Sequence, residues 1–188
     1  LIDRINALSF DALLVVGDTA PAESDELAQC LGRFTFAGPR LFVAGNHEFD
    51  GRELNDAWPA LRERCEQFGL TLLERESLVL DAPDGRRIRF VGSVRWCDFN
   101  VFGPSRLESA LRAGRYFQRV MGATRDGALF DAEAVRREAL DCRDWLASAL
   151  AEEAQGRWDV TVAITHFAPS LKSADPRYGK QSGTASFC

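Results

Sequence analysis

The sequence predicts an α/β protein. Short apolar runs rich in β-branched residues alternate with stretches in which apolar residues have helical spacing. A Pro-Asp-Gly turn at 83–85 separates two of the apolar runs, and this arrangement is typical of a β-hairpin. A chain of 188 residues is long enough to bury a substantial core, so we expect a single domain over 1–188.

Five apolar runs are predicted to form strands. In chain order they are Leu13–Val16, Leu41–Ala44, Leu78–Leu80, Ile88–Val91 and Val160–Ile164. The third and fourth runs would pair across the Pro-Asp-Gly turn. The runs at 13–16, 41–44 and 160–164 are almost continuously apolar, which predicts strands that are buried on both faces.

Three helices are predicted between these strands. Ser24 is a suitable N-cap for the first, because Asp25 and Glu26 follow it in the first turn. Helical spacing of apolar residues predicts the second over Asn55–Phe68. Asp131 would cap the third and longest helix. The apolar stripe of that helix comprises Val135, Ala139, Cys142, Leu146 and Ala149 or Leu150.

One segment interrupts this alternation. Residues 96–127 mix Phe, Gly, Pro and Arg and suggest an insertion or lid beside the sheet, helical around Leu107–Met121. The arginines at 112, 115 and 119 share one face of that helix, which either faces solvent or faces a phosphate. Trp96 and Phe99 would line a pocket or pack beneath the insertion.

The C-terminal segment from Ser170 to Cys188 is rich in Gly, Ser and Pro and predicts a loop. The roles of Arg177 and Tyr178 within it stay open.

Composition narrows the class of protein. The net charge of −5 disfavours broad binding of nucleic acid, which needs a basic surface. The sequence contains no run of about 18 apolar residues, so no membrane span is predicted. The five cysteines are scattered without a metal-binding or disulfide spacing, and Cys97 and Cys142 are expected to be small core residues. A reducing cytoplasm is the simplest location, and oligomeric state is not indicated.

Residues able to bind metal follow three of the predicted strands. Asp18 follows the first strand, Asn46 and His47 follow the second, and His166 follows the last. Ligands collect beyond the carboxyl ends of strands in open α/β sheets. A mixed carboxylate, amide and imidazole shell suits Mn, Fe or Zn. The sequence therefore predicts a divalent metal site held by Asp18, Asn46 and His166.

Individually these residues have simpler explanations. Asp18 and Asn46 also suit ordinary turns, and His166 alone suits a hydrogen-bonded core histidine. His47 lies next to Asn46 and would meet developing charge or the leaving group outside the metal shell. Glu48 is expected to be structural, through capping or pairing.

The motifs Gly17-Asp18-Thr19, Gly45-Asn46-His47-Glu48 and Thr165-His166-Phe167-Ala168-Pro169, in this order, resemble the calcineurin-like metallophosphoesterase family. The resemblance implies a four-layer α-β-β-α sandwich of two mixed sheets flanked by helices. It also implies two divalent metal ions whose bound hydroxide hydrolyses a phosphate ester. Asp18 would then be the bridging ligand, Asn46 and His166 would bind the second metal, and His47 with Asn46 would be catalytic.

Two elements of the family pattern do not appear in the sequence. No Asp-x-His precedes Gly17, and no Gly-His-x-His follows His166. One explanation is a chain truncated at both ends, and the other is a complete but degenerate protein. The expected function is accordingly hydrolysis of a small phosphorylated substrate, monoester or diester. The alternative is a non-catalytic binding or scaffold protein that retains the fold.

Overall fold

A computed structural model describes residues 1–173, 177 and 181–188, and its elements alternate between strands and helices. The strands in these residues are β1 Leu13–Val16, β2 Arg40–Val43, β3 Thr71–Leu72, β4 Glu76–Asp81, β5 Arg87–Ser93, β6 Thr124–Arg125, β7 Ala128–Leu129 and β8 Val160–Thr165. The α-helices are α1 Ile2–Asn6, α2 Asp25–Gly32, α3 Leu54–Gln67, α4 Pro104–Met121 and α5 Ala132–Ala151. Short 3₁₀ turns occupy His47–Phe49, Leu171–Ser173 and Ser182–Phe187.

Two sheets form the centre of the described structure. The first has the order β1-β2-β3 and is parallel, with Val16 opposite Val43. The second has the order β4-β5-β8 and is mixed, because β4 is antiparallel to β5 and β8 is parallel to it. The predicted hairpin around the Pro-Asp-Gly turn is therefore confirmed.

The inner faces of the two sheets pack against each other. Leu41 and Val43 of β2 contact Phe90 of β5 and Ile164 of β8 in one apolar cluster. Gly92 permits the close approach, since a Cβ there would meet the Leu73 and Val43 side chains.

Helices cover the outer faces. Phe42 packs with Leu27 of α2 and Leu61 of α3. On the other side Arg89 of β5 donates to the Ala149 carbonyl of α5. The predicted α/β class and the four-layer α-β-β-α arrangement are confirmed, although the first sheet is parallel throughout its described strands.

The predicted helix starts are also confirmed. The Ser24 hydroxyl accepts the Leu27 amide at 3.1 Å, and the Asp131 carboxylate accepts the Ala134 amide at 2.8 Å. Each side chain thereby satisfies one backbone donor that the first turn leaves unpaired.

The prediction that three strands are buried on both faces was right only for β2. In β1, Leu14 and Val16 are 37% and 39% exposed, and in β8 Val160 is 38% exposed. Both strands end the order of their sheets in the described residues, so each lacks a neighbouring strand along one edge. An apolar run does not distinguish a central strand from an edge strand of this kind.

The segment at 96–127 contains α4, as predicted, and Phe99 packs beneath that helix against Gly114. Arg112, Arg115 and Arg119 are exposed on it.

The C-terminal segment was predicted to be a loop, but 182–187 forms a 3₁₀ helix beside α4, with the Phe117 and Phe187 ring centroids 5.9 Å apart. Tyr178 lies outside the described residues.

Candidate metal and hydrolytic site

The predicted residues meet where strand ends of the two sheets approach each other. His166 follows β8 of the second sheet, and its Nδ1 lies 2.9 Å from the Val16 carbonyl oxygen at the end of β1. His166 Nε2 lies 3.2 Å from Asp18 Oδ1. Asp18 Oδ1 also accepts the His47 backbone amide at 3.2 Å. The carboxyl ends of three strands from two different sheets therefore meet at one place.

Two glycines make this approach possible. Gly17 has φ +68°, a left-handed conformation that glycine adopts without a steric cost. A Cβ on Gly45 would lie 2.7 Å from His166 Cε1 and would also collide with Asp18. Asp18 itself has φ +55°, a conformation that is uncommon outside glycine and is often found at functional sites.

Glu48 holds two of the strand ends together. Its side chain is fully buried and accepts three backbone amides, from Asp18 at 3.0 Å, Thr19 at 2.7 Å and Gly45 at 2.6 Å. These bonds join the turn after β1 to the turn after β2. The expectation that Glu48 is structural is confirmed, and its partners are the backbone of both motifs.

Asp18 and His166 influence each other's charge. Burial opposes ionisation of Asp18, but the hydrogen bond and charge of His166 and the His47 amide outweigh it, so the Asp18 pKa is lowered. Burial likewise opposes protonation of His166, but the Asp18 hydrogen bond and the Val16 carbonyl outweigh it and raise the His166 pKa.

His47 is held by Asp50. Its Nδ1 lies 2.6 Å from Asp50 Oδ2, and the hydrogen bond to Asp50 raises the His47 pKa. Because Asp50 occupies Nδ1, Nε2 is the nitrogen left to exchange a proton with another group. The His47 side chain is 56% exposed, and the residue lines the same cavity as Asp18, Asn46 and His166.

That cavity has a volume of about 620 Å³, a size common for small-molecule sites. Its polar wall contains Asp18, Asn46, His47 and His166, and the rest of its lining comes from α4, the segment at 96–97, Phe167, Ala168 and the 3₁₀ helix at 182–187. Trp96 is buried and lines it, so this residue both packs in the core and borders the cavity. Arg112, Arg115 and Arg119 are not among the described residues that line it, which favours the solvated-face interpretation of these arginines.

By their chemistry, the side chains of Asp18, Asn46 and His166 suit one divalent ion. His166 Nδ1 donates to a backbone carbonyl, which fixes the ring and leaves Nε2 as the donor atom, a pattern typical of metal-binding histidine. Asp18 and Asn46 add a carboxylate and an amide oxygen. Across the described ranges, however, no three His, Cys, Asp or Glu side chains are grouped closely enough to hold an ion by themselves. A second ion would have only Asp18 to share from this set.

All the residues predicted for the site thus lie together, while their assignment as ligands and catalysts stays a prediction. Sequence reasoning missed Asp50, which lies three residues after His47, a spacing that brings side chains together in a helical turn. It also missed Gln118 and Ser186 in the cavity wall, because nothing in the local pattern marks them.

The fold is an α/β sandwich: two facing sheets are covered by helices, and polar side chains are grouped at the strand ends. No family model matches this chain, and no curated protein matches it. No helix in the described part of the chain is both long and apolar enough to span a membrane.

Among solved structures, the chain is similar to the crystal structure of the phosphopantetheinyl hydrolase PptH from Mycobacterium tuberculosis. The TM-score is 0.65 and the sequence identity is 16%, and the match covers 99% of this chain and 69% of that protein. At this identity the likeness establishes a shared fold.

Proposed function

We propose that this protein is a metal-dependent phosphoester hydrolase of the calcineurin-like metallophosphoesterase type. The observation that carries the proposal is the grouping of Asp18, Asn46, His47 and His166 on one wall of a single cavity, at ends of strands from both sheets. The fold shared with a phosphopantetheinyl hydrolase supports the same class of reaction, and a phosphoester is therefore the first class of substrate to test.

Asp18, Asn46 and His166 would hold a divalent ion, Mn, Fe or Zn, and Asp18 is the residue of this set that a second ion would share. When bound, such ions activate water and neutralise charge on the phosphoryl group. Glu48 fixes the backbone that carries two of these ligands, through its bonds to the amides of Asp18 and Gly45.

The remaining chemistry belongs to His47 and Asn46. Asp50 holds His47 Nδ1 at 2.6 Å, which leaves the Nε2 proton for the leaving-group oxygen. The raised pKa of His47 keeps that proton in place closer to neutral pH. The Asn46 amide has both a carbonyl oxygen and N–H groups, so it serves as a metal ligand and as a donor to a phosphoryl oxygen.

The test is hydrolysis of phenyl phosphate and diphenyl phosphate by the full chain, with and without added Mn, because the phenol leaving group needs a proton. Wild type is compared with Asn46→Ala, His47→Ala and the control Gln29→Ala, an exposed residue on α2. We expect Mn-dependent turnover in wild type and the control, and a loss of about a hundredfold or more without the His47 proton donor. Equal, metal-independent turnover in all four proteins would contradict the proposal.

A non-catalytic scaffold with the same fold is the alternative. It predicts no rise in melting temperature on addition of Mn, whereas ligands that bind only the folded state stabilise it by mass action. Thermal melts of wild type and Asp18→Ala with increasing Mn distinguish the two. The hydrolase proposal requires that Mn raise the melting temperature of wild type and not that of the variant.

A further inference from the structure

The cavity at the candidate site has two chemically different walls. Besides the polar residues, the lining includes the rings of Trp96, Phe117, Phe167 and Phe187 and the side chain of Val120. Trp96 and Phe167 have centroids 5.8 Å apart, and Phe117 and Phe187 are 5.9 Å apart, so the rings form two adjoining pairs. Phe117, Val120 and Phe187 are 40%, 68% and 59% exposed. These exposed apolar groups border the catalytic wall directly, which is the position of a substrate group rather than of core packing.

Two buried polar atoms interrupt the apolar wall. Gln118 and Ser186 both line the cavity and are both 7% exposed. Gln118 Oε1 and Ser186 Oγ have no hydrogen-bond partner among the residues that the structure describes. A buried polar atom without a partner is costly, so each of these atoms is suited to a donor or acceptor supplied by a bound molecule.

Charge limits what that molecule can be. In the described lining of the cavity there is no lysine or arginine, while Asp18 contributes a carboxylate. A substrate with several phosphates beyond the reacting one would find no cationic side chain among these residues besides the two histidines of the polar wall. The reacting phosphate alone would be neutralised, by the proposed metal.

From these observations, we infer that the substrate is a phosphoester whose organic arm is apolar and carries an amide or hydroxyl group. The apolar body of the arm lies along Phe117, Val120 and Phe187, and its polar group binds Gln118 Oε1 and Ser186 Oγ. This inference rests on the proposed function, because the arm is positioned relative to a phosphate at the polar wall. Gln118 and Ser186 are then specificity-determining residues.

A series of p-nitrophenyl phosphodiesters with a common leaving group tests this, with methyl, butyl and hexyl second arms and an amide isostere of the hexyl arm. For wild type we expect kcat/KM of the butyl ester to exceed that of the methyl ester by roughly sixtyfold, about fourfold for each buried methylene. The gain should appear mainly in KM, because binding of the arm is the same in ground state and transition state.

The variants test the apolar and the polar contacts of the arm separately. Val120→Asp, at an exposed position that the fold tolerates, should reduce the hexyl-to-methyl ratio by roughly tenfold, since the arm would meet a charge. Gln118→Leu should reduce the amide-to-hexyl ratio by about fivefold relative to wild type, the effect of one hydrogen bond. Arg112→Ala, exposed on the same helix and outside the described lining of the cavity, is the control and should keep both wild-type ratios.

Each outcome is decisive. Hydrolysis of the methyl ester with no gain from longer arms, or an amide-to-hexyl ratio that Gln118→Leu leaves unchanged, would overturn the inference and leave the proposed function standing. Failure to hydrolyse any of these diesters would overturn the inference, and the proposed function would fall with it only if a phosphate monoester were also left unhydrolysed.

Discussion

Replacement of Glu48 is the most direct test of how the candidate site is built. The Glu48 side chain is fully buried, and its two oxygens accept the amides of Asp18, Thr19 and Gly45. No other side chain in the described residues joins the turns after β1 and β2 by three such bonds. We therefore expect Glu48→Ala to destabilise the fold and to separate the candidate ligands.

The magnitude follows from the environment of each amide. The bond from Gly45 is buried, and an unpaired buried donor costs about 2–3 kcal/mol. The bonds from Asp18 and Thr19 are only partly buried, so water can replace much of each, and their loss costs about 0.5–1 kcal/mol apiece. Glu48→Ala should thus lower the free energy of unfolding by about 3–5 kcal/mol. Glu48→Gln keeps one acceptor oxygen but opposes an amide group to one N–H, and should cost about 1–2 kcal/mol.

The assay is urea denaturation followed by circular dichroism and tryptophan fluorescence, with Glu63→Ala on an exposed position of α3 as the control. The control should remain within about 0.5 kcal/mol of wild type. If Glu48→Ala unfolds within 1 kcal/mol of wild type, the three amides are satisfied in another way and the reasoning is refuted.

Two further predictions concern single side chains. Asp50→Asn should lower the pKa of His47, because the hydrogen bond to Asp50 is the main cause of its raised value. NMR titration of the metal-free protein measures this pKa. An unchanged value would show that the pair does not form in solution. At pH 8 iodoacetamide should label Cys30 in the folded protein and spare Cys65 and Cys142, because burial raises the pKa of each of these two thiols to about 12. Mass spectrometry after labelling in buffer and in guanidinium tests this. Labelling of Cys65 or Cys142 in the folded protein would contradict the packing described for α3 and α5.

The sequence by itself determined most of the local elements and four of the residues that meet at the candidate site. The caps at Ser24 and Asp131, the hairpin around 83–85 and the strands that precede Asp18, Asn46 and His166 all depend on side chains close along the chain. Turn chemistry, capping and periodicity act over a few residues, so these features could be predicted.

Only the tertiary structure decided how the site is assembled. The contact of His166 with Asp18 joins residues 148 positions apart on different sheets, and no local pattern encodes which strand end meets which. The edge positions of β1 and β8, the 3₁₀ helix at 182–187 and the cavity wall of Gln118 and Ser186 also depend on packing between distant segments. Burial and proximity are properties of the folded whole, and a hydrophobic pattern reports only that a residue prefers to be buried, not against what.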